Sequence, residues 1–130
     1  MSISYETGIA SEYLVLSNLY RLGLDAYMSL GNKKSVDLAV TKKDDSVITI
    51  DVKAVQGYSS LIVNNVSSKP NHYIVFVVYN NKFRDINTLP EFFVVPSADI
   101  ESLQKVFKTE KRIYKSDIVK YKNNWNILMS

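Results

Sequence analysis

A chain of 130 residues with 46% apolar and 22% charged content has the material for one hydrophobic core, so a single domain spanning residues 1–130 is expected. It contains no cysteine, which excludes disulfides and thiolate zinc sites and suits a reducing compartment. The formal net charge is only +3, yet Lys105 to Lys122 gathers seven basic residues against Glu110 and Asp117, a local surplus of +5 that leaves −2 for the remainder. A basic segment beside carboxylates suits a chain that holds a polyanion and binds a metal, although an ordinary solvated helix and loop can carry the same charges.

The opening "MSISYETGIASEYLVL" lacks the basic start and unbroken apolar core of a secretion signal. No apolar run approaches the ~20 residues of a membrane span, so no membrane association and a cytoplasmic location are expected. The chain holds no internal repeat, low-complexity tract or Pro/Gly/Ser linker.

Helical spacing begins at about Tyr5 and runs to Leu22, with Ser4 placed to cap it and Gly23 followed by Leu24 as a Schellman stop. Ile9, Tyr13, Leu16, Leu19 and Tyr20 form the expected core-facing stripe. Glu12 interrupts that stripe with no cation one turn away on its own helix, so it needs a positive partner from elsewhere. Three extended segments follow at Asp25 to Leu30, Val36 to Thr41 and Val47 to Ala54, the last two joined by the polar turn "KKDDS" as a hairpin. "GYSSLIVNNVSSKPNH" has neither helical nor strand period. Tyr73 to Tyr79 is an unbroken apolar run typical of a strand covered on both faces, and Glu91 to Pro96 is a further strand. Ser97 is expected to cap a helix to about Phe107 with Ile100, Leu103, Val106 and Phe107 inward. Tyr114, Ile118, Tyr121, Trp125, Ile127 and Leu128 then dock the tail. A helix, a mixed sheet and later helices together predict an α/β sandwich.

The chemistry sits in "SVITIDVKAVQ". Side chains alternate along a strand, so Ile48, Ile50 and Val52 face one way while Thr49, Asp51 and Lys53 face the other. Asp37 stands among Val36, Leu38, Ala39 and Val40, a second lone carboxylate in apolar company. If the hairpin pairs these strands, Asp37 approaches Asp51, and two unscreened carboxylates in one place pick up protons unless a cation holds them. A hard divalent ion suits that role, with Glu12 as a third carboxylate. An exposed Asp51–Lys53 ion pair with no function is the plain alternative for those two residues alone.

The order of Glu12 on a first helix, "VDLAV" with Asp37, and "IDVKA" with Asp51 and Lys53 resembles the PD-(D/E)XK nuclease superfamily. That superfamily includes restriction enzymes, archaeal Holliday-junction resolvases and some homing endonucleases. "TGIASEYLVLSNLYRLGLDAY" looks like the first helix of its resolvase-like members, and "PEFFVVPSADI" is similar to a segment downstream in small members. Val36 stands where the named motif has Pro, and the residues after Lys53 lack a second core helix. The resemblance implies a restriction-endonuclease-like three-layer sandwich with a mixed central sheet flanked by helices. It implies Mg²⁺, replaceable by Mn²⁺, held by Asp37 and Asp51 with the Val52 carbonyl, and Glu12 binding or orienting the metal or its water. Lys53 would position the attacking water and offset charge on the phosphate. Gln56 matches a position where some members carry a polar residue near the site.

The activity so implied is endonucleolytic hydrolysis of DNA, including structured or junction DNA. Lys105, Lys108, Lys111, Arg112 and Lys115 are candidates for phosphate contacts. One subunit offers one site, so cutting two strands requires a homodimer or larger homo-oligomer. The alternatives are a non-catalytic nucleic-acid-binding or protein-interaction module of the same fold, and an RNA-directed nuclease. His72, the single histidine, reads as a surface or strand-start residue. No serine lies in a nucleophile elbow, and Gly8, Gly23, Gly31 and Gly57 form no phosphate loop. The nine tyrosines and Trp125 read as core, rim and tail anchors.

Overall fold

The structure, a computed structural model, describes residues 3–29 and 37–129. The expectations placed on the Ser4 side chain and on Leu30, Gly31 and Val36 lie outside the described residues. The elements in order are helix α1 (Ile3–Arg21), strands β1 (Asp25–Met28), β2 (Leu38–Thr41), β3 (Val47–Val55), β4 (Ser60–Ile62), β5 (His72–Val78) and β6 (Glu91–Pro96), helix α2 (Ser97–Leu103), and strands β7 (Lys105–Val106) and β8 (Lys111–Tyr114). Two 3-10 helices, Lys115–Tyr121 and Trp125–Leu128, complete the described chain.

Helix α1 stops where the sequence indicated. Gly23 has φ +79°, its N–H donates to the Tyr20 carbonyl at 2.9 Å, and the Leu24 N–H donates to the Leu19 carbonyl at 3.1 Å. This is the Schellman pattern, and glycine enters it without the steric penalty of a Cβ. The buried face of α1 differs from expectation. Thr7, Ser11, Val15 and Leu19 point inward, while Ile9, Tyr13 and Tyr20 are 38%, 58% and 58% exposed. The two polar residues can be buried because their hydroxyls are satisfied. Ser11 Oγ donates to the Thr7 carbonyl at 2.6 Å and lies 2.8 Å from the Tyr79 hydroxyl. Such partners come from another element, so a count of apolar residues along the helix misses them.

Five strands form the central sheet in the order β1-β2-β3-β5-β6. The pair β3–β5 is parallel and the others are antiparallel, which gives the expected mixed sheet. The "KKDDS" turn closes the β2–β3 hairpin: Lys42 N–H donates to the Ser46 carbonyl, Asp45 has φ +68°, and Asp44 Oδ1 accepts from both the Ser46 N–H and hydroxyl. Val15 and Leu19 of α1 pack with Leu38, Val40, Ile48 and Ile50 on one side of the sheet. On the other side Ile74, Phe76, Val78, Phe93 and Val95 pack with Ile100 of α2 and with Leu61, Val63 and Ile113.

That second side carries more than helices. β4, β8 and β7 make a small antiparallel sheet, so three layers exist but one of them mixes strand and helix. β4 comes from the segment without a clear period, and it sits in the crossover between parallel β3 and β5 where a helix is the usual connection. Two residues of the expected second helix, Val106 and Phe107, are also redirected. α2 ends at Leu103, Gln104 is extended at φ −74° and ψ 150°, and Lys105–Val106 pair with Lys111 and Arg112. Val106 is therefore 69% exposed instead of packed inward. Pro96 rather than Ser97 occupies the cap position, and the Ser97 hydroxyl bonds the Lys69 backbone on both sides, donating to its carbonyl and accepting its N–H. The tail docks through Ile118, Tyr121 and Leu128, all buried.

Candidate active site

The site begins where β2 leaves β3. Their pairing ends at Leu38↔Ile50, whereas β3 continues to Val55 with only β5 alongside it, Asp51 opposite Ile74 and Lys53 opposite Phe76. The β2-facing edge of β3 is thus open from Asp51 onward, and a backbone N–H left there without an acceptor costs stability. Asp37, one residue outside β2, takes that role: the Val52 N–H donates to its Oδ2 at 2.7 Å. In a strand the N–H and C=O of one residue project from the same edge, so the Val52 carbonyl also faces the Asp37 side.

The ladder register sets the sides. Asp51 and Lys53 share a face with Ile74 and Phe76, the face covered by the small sheet and α2. Glu12 rides on α1 over the opposite face, and Asp37 lies at the gap between them. Glu12 feels the charge of Asp37, and Asp37 feels those of Asp51 and Lys53, so the four expected residues are coupled near the β2–β3 split from two sides of the sheet. Among the described residues no three His, Asp or Glu side chains are gathered tightly enough to hold a metal ion between them.

The electrostatics show how these groups act on one another. Burial holds the Asp37 carboxyl above the usual range, and the Asp51 charge pushes it further up. The Val52 N–H and Lys53 pull it down without cancelling the rise. Burial likewise raises Glu12, with the Asp37 charge adding to it. Negative charge thus accumulates here without full compensation, and the donors are carboxylate oxygens. That chemistry fits a hard ion such as Mg²⁺, which takes one or two carboxylates and keeps several waters.

Sequence reasoning misjudged one neighbour. His72 does start a strand, but it is buried, only 3% exposed, and its Nε2 lies 3.1 Å from Asp51 Oδ2. Its proximity comes from the parallel register Thr49↔His72, which no local pattern reveals. Gln56 is turned elsewhere: its Nε2 donates to Thr7 Oγ1 at 2.7 Å, tying the end of β3 to the helix that carries Glu12.

The basic candidates are partly engaged with acids. Arg112 pairs with Glu110 and also reaches Ser60 Oγ at 2.7 Å, Lys105 Nζ lies 3.8 Å from Asp117, and Lys115 Nζ bonds Glu91 at 2.9 Å. Lys108 and Lys111 are exposed and make no ion pair among the described residues. β8, which starts at Lys111, covers the same side of the central sheet that presents Asp51 and Lys53. An apolar cleft of about 680 Å³ between α1 and the loop before β6 is lined by Tyr13, Leu14, Phe83, Ile86 and Leu89, and Glu12, Asp37 and Asp51 are not among its lining residues.

No protein-family model matches the chain, and no curated protein matches its sequence. Solved structures do match. A bacterial homing endonuclease, I-Ssp6803I, superposes with a TM-score of 0.68 at 15% identity, over 99% of this chain and 94% of its own. The Holliday junction resolvase Hjc of Archaeoglobus fulgidus superposes with a TM-score of 0.54, also at 15% identity, over 87% of this chain and 93% of its own. The chain shares with both a restriction-endonuclease-like fold.

Proposed function

We propose that the chain is a metal-dependent endonuclease that hydrolyses phosphodiester bonds of DNA. The observation that carries this reading is the convergence of Asp37, Asp51 and Lys53 at the β2–β3 split, in a fold whose two neighbours above are an endonuclease and a junction resolvase. Asp37 and Asp51, with the Val52 carbonyl, would hold Mg²⁺ or Mn²⁺, and Glu12 would bind or orient the ion or its water from the α1 side. A bound divalent ion lowers the pKa of water and neutralises charge that builds on a phosphate in the transition state. Lys53, whose charge reaches Asp37, would orient the attacking water and stabilise negative charge on the phosphate oxygens. Asp37 has a second task, holding the open edge of β3 through Val52.

The site lies at an open sheet edge, and that suits a polymer that passes across the protein. Lys108 and Lys111 supply backbone attraction, with Lys105, Arg112 and Lys115 available once their acidic partners yield to phosphates. Cutting both strands of a duplex or junction calls for two copies, so the working form is a homodimer or larger assembly. A cytoplasmic setting agrees with the absence of cysteine; among the described residues no helix is long and apolar enough to cross a membrane.

One observation favours a second reading. The three carboxylates do not close into a ligand set by themselves, as expected of a non-catalytic DNA- or protein-binding module of the same fold. Cleavage assays separate the two. Plasmid, linear duplex, single strand, four-way junction and RNA are incubated with Mg²⁺ or Mn²⁺ and with EDTA, using wild type, Asp51→Ala and Lys53→Ala. Metal-dependent cutting lost in both variants supports the nuclease and identifies the substrate class. Binding without cutting in every metal establishes the module, and preferential cutting of RNA replaces DNA as the substrate.

A further inference from the structure

The one histidine of the chain is buried at the first position of β5, and nothing in the proposed chemistry uses it. Parallel pairing places His72 opposite Thr49 and Ile74 opposite Asp51, so the imidazole stands on the Asp51 face of the sheet, two positions back. Its Nε2 is 3.1 Å from Asp51 Oδ2. Against an ionised carboxylate, which only accepts hydrogen bonds, Nε2 is the donor, and in a neutral imidazole Nδ1 then holds a lone pair. Among the described residues that Nδ1 is buried with no hydrogen-bond partner. A residue selected for packing alone would leave no such unmet acceptor; a leucine or phenylalanine fills the same space without one.

The bond divides the two oxygens of Asp51. Oδ2 is occupied by the histidine, and Oδ1 has no hydrogen-bond partner among the described residues. The Asp51 side chain keeps 14% exposure, enough to meet an ion from solvent. We propose that His72 is a positioning residue: by donating from Nε2 to Asp51 Oδ2 it locks the carboxylate in one rotamer with Oδ1 presented to the divalent ion. This rests on the metal-site reading above. Outer partners of this kind orient a ligand before the ion arrives, and their loss commonly weakens metal binding by about 10- to 100-fold.

The test separates His72 from the metal-site reading. Mn²⁺ is titrated calorimetrically into the metal-free full chain, comparing wild type, His72→Gln, His72→Asn, Asp51→Asn and the double variant Asp51→Asn/His72→Asn. Glutamine reaches with an amide N–H to the place of Nε2, whereas the shorter asparagine places its amide near Nδ1. His72→Gln is expected to bind within about threefold of wild type and His72→Asn about tenfold more weakly. In the Asp51→Asn background, His72→Asn is expected to add nothing. Equal binding by the Gln and Asn variants overturns the proposal, as does a further loss in the double variant.

A second measurement uses the unmutated protein, so it stands if a variant fails to fold. With one histidine, ¹⁵N-histidine labelling gives one imidazole to observe. The pattern expected is that of the Nε2–H tautomer, with both nitrogens moving as Mg²⁺ saturates the protein. Imidazole signals indifferent to saturating Mg²⁺, or an Nδ1–H tautomer, overturn the inference while leaving metal binding intact. Wild type that binds neither ion overturns the metal-site reading, and the inference falls with it.

Discussion

Two carboxylates, Asp37 and Glu91, meet opposite fates in this molecule. Glu91, at the start of β6, accepts from Lys122 and Lys115, each at 2.9 Å, and from the Asn80 side-chain amide at 2.9 Å. The Lys122 bond first of all, with help from Asn80 and Lys115, overrides its partial burial and holds its pKa down at about 2. Asp37, at the β2–β3 split, is more deeply placed and has one backbone N–H and the more distant Lys53 for support, against the charge of Asp51, and its pKa is raised. At the start of β6 the negative charge is compensated, and this ties the tail to the central sheet. The β2–β3 split leaves negative charge under-compensated, and the proposed divalent-cation site rests on that residual field.

The largest effect expected from this contrast is catalytic. Asp51→Ala or Lys53→Ala should lower metal-dependent cleavage by about 10²-fold or more, as losses of groups that stabilise transition-state charge do. Glu91→Ala should leave the rate per folded molecule unchanged. A Glu91 variant that is folded yet inactive would break the division between the two carboxylates.

Next in size is stability at the compensated end. Glu91→Gln should destabilise the chain at pH 7 by about 1–2 kcal/mol, discounted for partial exposure, which lowers Tm by roughly 3–8 °C for a chain of this length. The sign follows from the depressed pKa. This stabilisation is complete above the ordinary glutamate range near 4.5 and is lost as pH falls toward about 2, so the gap between wild type and variant should close over that window. Thermal melts across the acidic range measure it.

The opposite sign is expected at the split. Asp37 and Glu12 ionise less readily in the folded chain than in the unfolded one, so they weaken the metal-free protein as pH rises from the ordinary carboxylate range through their raised values. Asp37→Asn keeps an oxygen for the Val52 N–H while removing the repulsion with Asp51. It should raise the Tm of the metal-free protein at pH 8 by a few degrees and abolish the Tm rise expected when Mg²⁺ is added to wild type. A metal-free Tm below wild type would show that the Asp37 charge stabilises the fold, and the contrast with Glu91 would vanish.

The smallest effect concerns affinity. Lys108→Ala and Lys111→Ala should each weaken DNA binding uniformly across sequences and reduce the slope of log affinity against log salt by about 1. Lys115→Ala should do less to that slope, because its ammonium is already bound to Glu91. Fluorescence anisotropy at several salt concentrations distinguishes them.

Much of the candidate site was legible in the chain itself. Asp37, Asp51 and Lys53 stand out because strand alternation places them against apolar neighbours, and the "KKDDS" turn sets the hairpin that brings Asp37 to Asp51. The Schellman stop at Gly23 and the β6 strand are equally local, since each depends on residues within a few positions of one another. Local periods cannot say which of two apolar faces a helix buries. α1 buries Thr7 and Ser11 and exposes Ile9 and Tyr13, because Tyr79 and Gln56, just past the ends of β5 and β3, supply hydrogen bonds from 68 and 49 residues away.

The same limit explains Val106 and Phe107, whose spacing fits a helix until β8 offers a strand to pair with. It also explains His72, which becomes a neighbour of Asp51 only through the parallel register of β3 and β5. Alternation, turn chemistry and caps are written in adjacent residues, so the sequence by itself determined the five strands of the central sheet, the hairpin and the order of the acidic residues. Sheet register, the face that α1 buries, the opposite approaches of Glu12 and Asp51, and the histidine behind Asp51 were decided only by tertiary structure, because each depends on hydrogen bonds and packing between segments far apart in the chain.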